Sequence, residues 1–144
     1  MSQIRRRRWI LVVVLLSYTA IAAIAVMAQN DAVRGDALDA VVAAPDSHRV
    51  LLENDRVRVL EVIIRPGERE PAHTHRWPSV MMGLEAARIR YYDADGKLRF
   101  ETPEDRELSN LPLGADWLDA EPLHAVENID ETLFRALRVE LKSR

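Results

Sequence analysis

The stretch Pro66-Gly67-Glu68-Arg69-Glu70-Pro71-Ala72-His73-Thr74-His75-Arg76-Trp77-Pro78-Ser79-Val80 sets two histidines one residue apart between prolines. On a β-strand, residues two apart project to the same face, so His73 and His75 can reach one metal ion together. The pair alone is weak ground, because such neighbours also arise by chance. Support has to come from the rest of the chain.

On both sides of this stretch, from Pro45 onward, short runs rich in Val, Ile and Leu alternate with Pro, Gly, Asp and Asn at intervals of about eight to twelve residues. The pattern predicts nine strands, at 49–53, 57–65, 72–75, 79–84, 88–93, 97–101, 116–118, 123–128 and 133–142. It is the signature of an all-β antiparallel sandwich or barrel. Asp93-Ala94-Asp95-Gly96 has the residue order of a tight hairpin turn, with Gly96 suited to a positive φ. In the last strand Leu137, Val139 and Leu141 alternate with Arg138 and Glu140, which predicts a buried apolar face and a wet charged one. There is no internal repeat or heptad, and residues 103–107 read as a solvated loop.

Gly67 precedes His73 by five intervening residues, and His124-Ala125-Val126-Glu127-Asn128 lies near the C-terminal end. Together these resemble the two cupin motifs: a glycine, five residues and His-x-His, followed later by His-x-x-x-Asn. Glu53 to Glu61, Pro66-Gly67, His73-Thr74-His75, Pro78-Ser79-Val80 and His124 to Asn128 are similar to the small bacterial cupins linked by name to β-alanine degradation. The resemblance runs from about His48 to Lys142. It implies a single jelly-roll barrel with His73, His75 and His124 pointing into its mouth as ligands of one divalent metal ion.

The departures bear on the chemistry. Ser79 or Val80 stands where the motif places its glutamate ligand, Ala86-Ala87 where a glycine is usual, and Glu121-Pro122-Leu123 precedes His124 in place of a Pro-x-Gly-x-x-His run. A set of three neutral imidazoles leaves coordination positions open and suits Fe(II), but also Zn, Ni, Cu or Mn, among which the residues do not choose. Iron would permit dioxygenase chemistry; zinc or nickel would leave Lewis-acid or hydrolytic chemistry. The alternative is a barrel whose histidines have lost their metal.

Glu70, Glu85 and Glu121 are carboxylate candidates without an assigned place, and no catalytic residue is identified. His48, before the first strand, reads as structural. Asn128 reads as a turn residue bonding backbone after the His124 strand. Trp77, Tyr91, Met81 and Trp117 read as core before pocket. Arg88 and Arg90 alternate with Ile89 and Tyr91 and are expected on the outer face rather than holding a carboxylate substrate.

The N-terminus is of another kind. Arg5 to Arg8 are followed by an uncharged run from Trp9 to Ala28 that ends Ala25-Val26-Met27-Ala28, the order of a cleavable signal with a cut before Gln29. A run of this length also serves as a single membrane-anchor helix, for which about 18 to 20 apolar residues suffice. Either way the rest is expected outside the cytoplasm, in the periplasm, because the arginines stay inside. Arg7-Arg8-Trp9-Ile10-Leu11 loosely resembles a twin-arginine signal. Residues 29–45, alanine-rich, read as a linker or loose helix, leaving 46–144 as one domain.

The chain has no cysteine, which excludes disulfides, thiolate ligands and a lipid-bearing N-terminal cysteine. Loss of residues 1–28 removes four of 20 basic residues and none of 23 acidic ones, so the mature chain has 16 against 23, a net of −7. Nucleic acid is then not expected as a partner. Three readings follow: a metal-dependent enzyme on a small organic molecule, a non-catalytic barrel binding a small ligand or metal, and a homodimeric barrel with a vestigial site.

Overall fold

A computed structural model describes residues 37–106 and 114–142. The hydrophobic run expected as a signal or anchor helix lies outside the described residues, and among those described no helix is long and apolar enough to cross a membrane. Among the described residues nine strands occur where the Pro/Gly/Asp punctuation predicts them: β1 His48–Glu53, β2 Val57–Ile64, β3 His73–His75, β4 Ser79–Glu85, β5 Ile89–Tyr92, β6 Leu98–Glu101, β7 Ala115–Leu118, β8 Glu121–Asn128 and β9 Phe134–Leu141. They form a five-stranded sheet in the order β1-β2-β9-β4-β7 and a four-stranded sheet in the order β3-β8-β5-β6, antiparallel throughout.

The turns follow from their side chains. Asn54 Oδ1 accepts the backbone N–H groups of Arg56 and Val57, which closes the β1–β2 hairpin. Asp93 Oδ1 does the same for Asp95 and Lys97, while Gly96 takes φ 73° between β5 and β6. Gly67, at φ 72°, turns the chain after β2 so that β3 starts on the other sheet.

Even-numbered positions of β2 face inward, with Leu60 fully buried and Val62 and Ile64 nearly so. They meet Arg138, Ala136 and Phe134 across the β2–β9 ladder, and Val41 and Met81 close the small apolar core. Burying a side chain of this size contributes about 1.5–3 kcal/mol.

The phase of β9 is opposite to the expected one. Ala136, Arg138 and Glu140 point inward and are buried, whereas Leu137, Val139 and Leu141 lie half-buried on the outer face. Alternation defines two faces but not which is inner, and the inner face of a barrel that holds a polar site is itself polar. On the outer face the register aligns Leu52, Val59, Val139, Val80 and Trp117 in one apolar row across all five strands.

Of the expected linker, residues 37–45 pack onto this unit. A helical turn, Ala40–Ala43, is capped by Asp39, whose side chain accepts from Val41 N–H. Thr74 N–H donates to Leu38 O at 2.7 Å, so the segment covers the exposed edge of β3.

Candidate metal centre

The cross-strand register brings the motif histidines together. His73 on β3 is the direct antiparallel partner of His124 on β8, and the two rings lie 4.5 Å apart between centroids. His75, two residues along the same face, lies 5.0 Å from His73 and 5.6 Å from His124. The sequence reading missed a fourth imidazole. His48, at the start of β1 and opposite Val62, points inward and stands 4.5 Å from His73 and 5.2 Å from His75. Its only available signal is position: an even-numbered β2 partner dictates an inward face.

All four rings are held by the same nitrogen. Nδ1 of His73 faces Pro71 O at 2.9 Å, Nδ1 of His124 faces Pro122 O at 2.8 Å, and Nδ1 of His48 faces Ala44 O at 3.3 Å. Nδ1 of His75 faces Glu140 Oε1 at 2.8 Å. A carbonyl or carboxylate oxygen requires an N–H donor, so each ring keeps its proton on Nδ1 and leaves Nε2 with a lone pair, the arrangement of metal-ligating histidines. His73 Nε2 is buried and has no hydrogen-bond partner among the described residues.

Behind His75 runs a chain of buried charges. Glu140 Oε2 accepts from Arg58 Nε, and Arg58 in turn pairs with Asp39 at 2.9 Å, so the carboxylate is held in place behind His75, and its pull on the Nδ1 proton makes Nε2 a better donor to a metal. Ser79, one of the two residues that stand where the resembling motif has its glutamate, faces inward directly opposite Glu140, whose carboxylate stands one step behind the His75 ring.

Burial holds all four imidazoles neutral: His73 is lowered to about 4 and His48 to about 2, with His75 and His124 lowered as well. Burial has the reverse effect on Glu70, raised to about 8, whose Oε1 accepts Val126 N–H while Oε2 has no partner among the described residues. Ligand atoms fall into three overlapping sets, each within 4.8 Å of one another: His48, His73 and His75; Glu70, His73 and His124; His75, Glu121 and His124. They border a cavity of about 310 Å³ with largely apolar walls that include Met81, Tyr91, Phe100 and Val126. Tyr91 stacks on His124 at 5.0 Å with the planes 11° apart.

A solved cupin domain from Bordetella pertussis Tohama I superposes on this chain with a TM-score of 0.54 at 20% identity, over 67% of this chain and 92% of that one. The chain has the cupin fold. A second solved structure, an RmlC-like cupin family protein with a double-stranded β-helix fold from Methanocaldococcus jannaschii, aligns at 12% identity and a TM-score of 0.47, covering 65% of this chain and 77% of that one. No protein-family model and no curated protein matches the chain. At these identities the likeness is one of fold, and function has to be argued from the site.

In this cupin barrel His73, His75 and His124 converge, and His48, set aside as structural from sequence, joins them. Of the carboxylates left without a place, Glu70 and Glu121 border the cavity, while Glu85 is exposed and 3.6 Å from Arg135. Tyr91 lines the cavity, and Met81 borders both the cavity and the core cluster. Trp117 is 59% exposed, and Trp77 lies under the cations of Arg58, Arg76 and Lys142. Arg88 and Arg90 do face outward, pairing with Asp130 and Glu101. Asn128 is fully buried and acts in the fold: its Nδ2 donates to Ile64 O and Thr132 O, and its Oδ1 accepts from Asp130 N–H.

Proposed function

We propose that this is an exported, metal-binding cupin that holds one divalent ion through His73, His75 and His124, with His48 as a fourth nitrogen in reach, and that it acts on a small organic molecule. The observation that carries the reading is the convergence of the four rings, each with Nδ1 placed at a carbonyl or carboxylate oxygen, which leaves the second ring nitrogen as the one available to a metal. Orphaned Nε2 of His73 fits the same reading, since a buried acceptor with no partner costs about 1–3 kcal/mol that a metal bond would offset.

A divalent ion in such a set supplies a Lewis acid, and iron in particular a dioxygenase-like chemistry. The chain's own groups supply the surroundings. Glu140 orients His75, Tyr91 fixes the plane of His124, the apolar walls exclude water, and Glu70, in the absence of an ion, holds a proton near neutral pH. The arginine block and apolar run at the N-terminus support a site in the periplasm. The apolar row on the outer face of the five-stranded sheet supports a homodimer formed through that face.

Metal analysis of the protein purified from its own cell envelope tests the reading, beside a His73→Ala/His75→Ala double variant. About one equivalent in the wild type and a loss of roughly tenfold or more in the variant is the expected outcome. Equal content in both, with the fold intact, would leave the barrel as a non-catalytic small-ligand module, a reading that the apolar cavity would serve equally well.

A further inference from the structure

Among the described residues, Arg138 is the one buried cation that the metal site does not use. It stands on β9, the central strand of the five-stranded sheet, pointing inward between Leu60 of β2 and Met81 of β4, and only 3% of it is exposed. One nitrogen is engaged, with Nη1 donating to Glu121 Oε2 at 2.6 Å. Nε and Nη2 are buried and have no partner among the described residues.

Those two N–H groups lie on the same edge of the guanidinium and run parallel, the fork that matches the two oxygens of a carboxylate. The chain itself uses this edge elsewhere, where Arg135 places Nε and Nη2 on Glu61 Oε1 at 2.9 and 2.7 Å. A buried guanidinium with two donors unmet is costly in any fold, and it borders the same cavity as the four imidazoles.

From this geometry we infer that Arg138 anchors the carboxylate of a small organic acid whose apolar body packs against the cavity walls. Glu121, on the adjacent nitrogen, selects a single carboxylate edge over a more highly charged oxyanion, because a second negative charge would be repelled. The walls beyond it, Met81, Tyr91, Phe100 and Val126, ask for hydrocarbon or an aromatic ring. The assignment rests on the metal reading for what the other end of the ligand meets, and on Arg138 alone for the carboxylate.

The test uses the full chain, metal-loaded and metal-free, titrated with benzoate and with its neutral isostere benzamide by calorimetry, with metal content measured on the same samples. Benzoate is expected to bind at least about tenfold more tightly than benzamide in both states, and Arg138→Gln to bring benzoate down to the level of benzamide. Arg138→Lys, which keeps the charge without the fork, is expected to fall between them. The wild-type comparison stands even if a variant fails to fold. No preference in the wild type overturns the assignment, as does a preference that survives in Arg138→Gln, which would put the carboxylate on the metal. Displacement of benzoate by inorganic phosphate at lower concentration than by acetate overturns the choice of a carboxylate. Metal bound without any benzoate preference defeats this inference only; preference in a chain that binds no metal defeats only the metal reading.

Discussion

Glu140 touches His75 with one oxygen and Arg58 with the other, so a single carboxylate ties the imidazole cluster to the N-terminal segment through Asp39. Glu140→Gln removes the charge that holds the Nδ1 proton while preserving shape. Metal affinity measured by competition with a chelator should fall roughly 10–100-fold, and unchanged affinity in a folded variant would deny Glu140 this role. The Asn128 side chain makes three hydrogen bonds from a fully buried site, none of them to the rings. Asn128→Ala should cost about 2–4 kcal/mol in denaturant unfolding and leave metal affinity unchanged. At this scale the sequence disclosed what spacing can carry: His73 and His75 through the two-residue repeat, His124 and Asn128 through the second motif. His48, Glu140 and Arg138 escaped because their importance lies in which way a strand faces, and a polar residue in an alternating run reads as solvent-facing unless the barrel interior is known to be polar.

The elements were the more legible part, since each strand is bounded by residues with a physical reason to turn: Asn54 and Asp93 by side-chain bonds to backbone N–H groups, Gly67 and Gly96 by positive φ. Gly67 shows what the motif glycine is for. A Cβ added there would meet nothing within 4 Å, so the conformation and not crowding requires glycine. Gly67→Ala should therefore cost only about 1 kcal/mol of stability by thermal unfolding, with the histidine cluster still formed. A loss several times larger would mean that the turn also packs. Less legible was residues 37–45, whose small alanines show no periodicity; their place follows from Ala40 and Ala44 being small enough to lie fully against the barrel while Asp39 reaches Arg58.

At the scale of the molecule, the five-stranded sheet presents apolar side chains on both faces, and among the described residues only the inner one is covered. Val139 and Val80 sit at the middle of the outer row, with Leu52 at 50% and Trp117 at 59% exposure toward its ends. A self-complementary face of this kind fits a second copy of the chain, so sedimentation should give a dimer for the wild type and a monomer for Val139→Glu; a wild-type monomer would refute the pairing. Nothing in alternation alone could announce this, because an apolar outer row and a core row have the same period. The central claim concerns the cluster inside, and X-ray absorption of the protein loaded with one equivalent of Zn(II) or Fe(II) addresses it most directly. The account predicts a single site with three or four imidazole nitrogens at about 2.0–2.2 Å, diminished in His73→Ala/His75→Ala. A first shell of oxygens without imidazole scattering, or a spectrum indifferent to those substitutions, would contradict it.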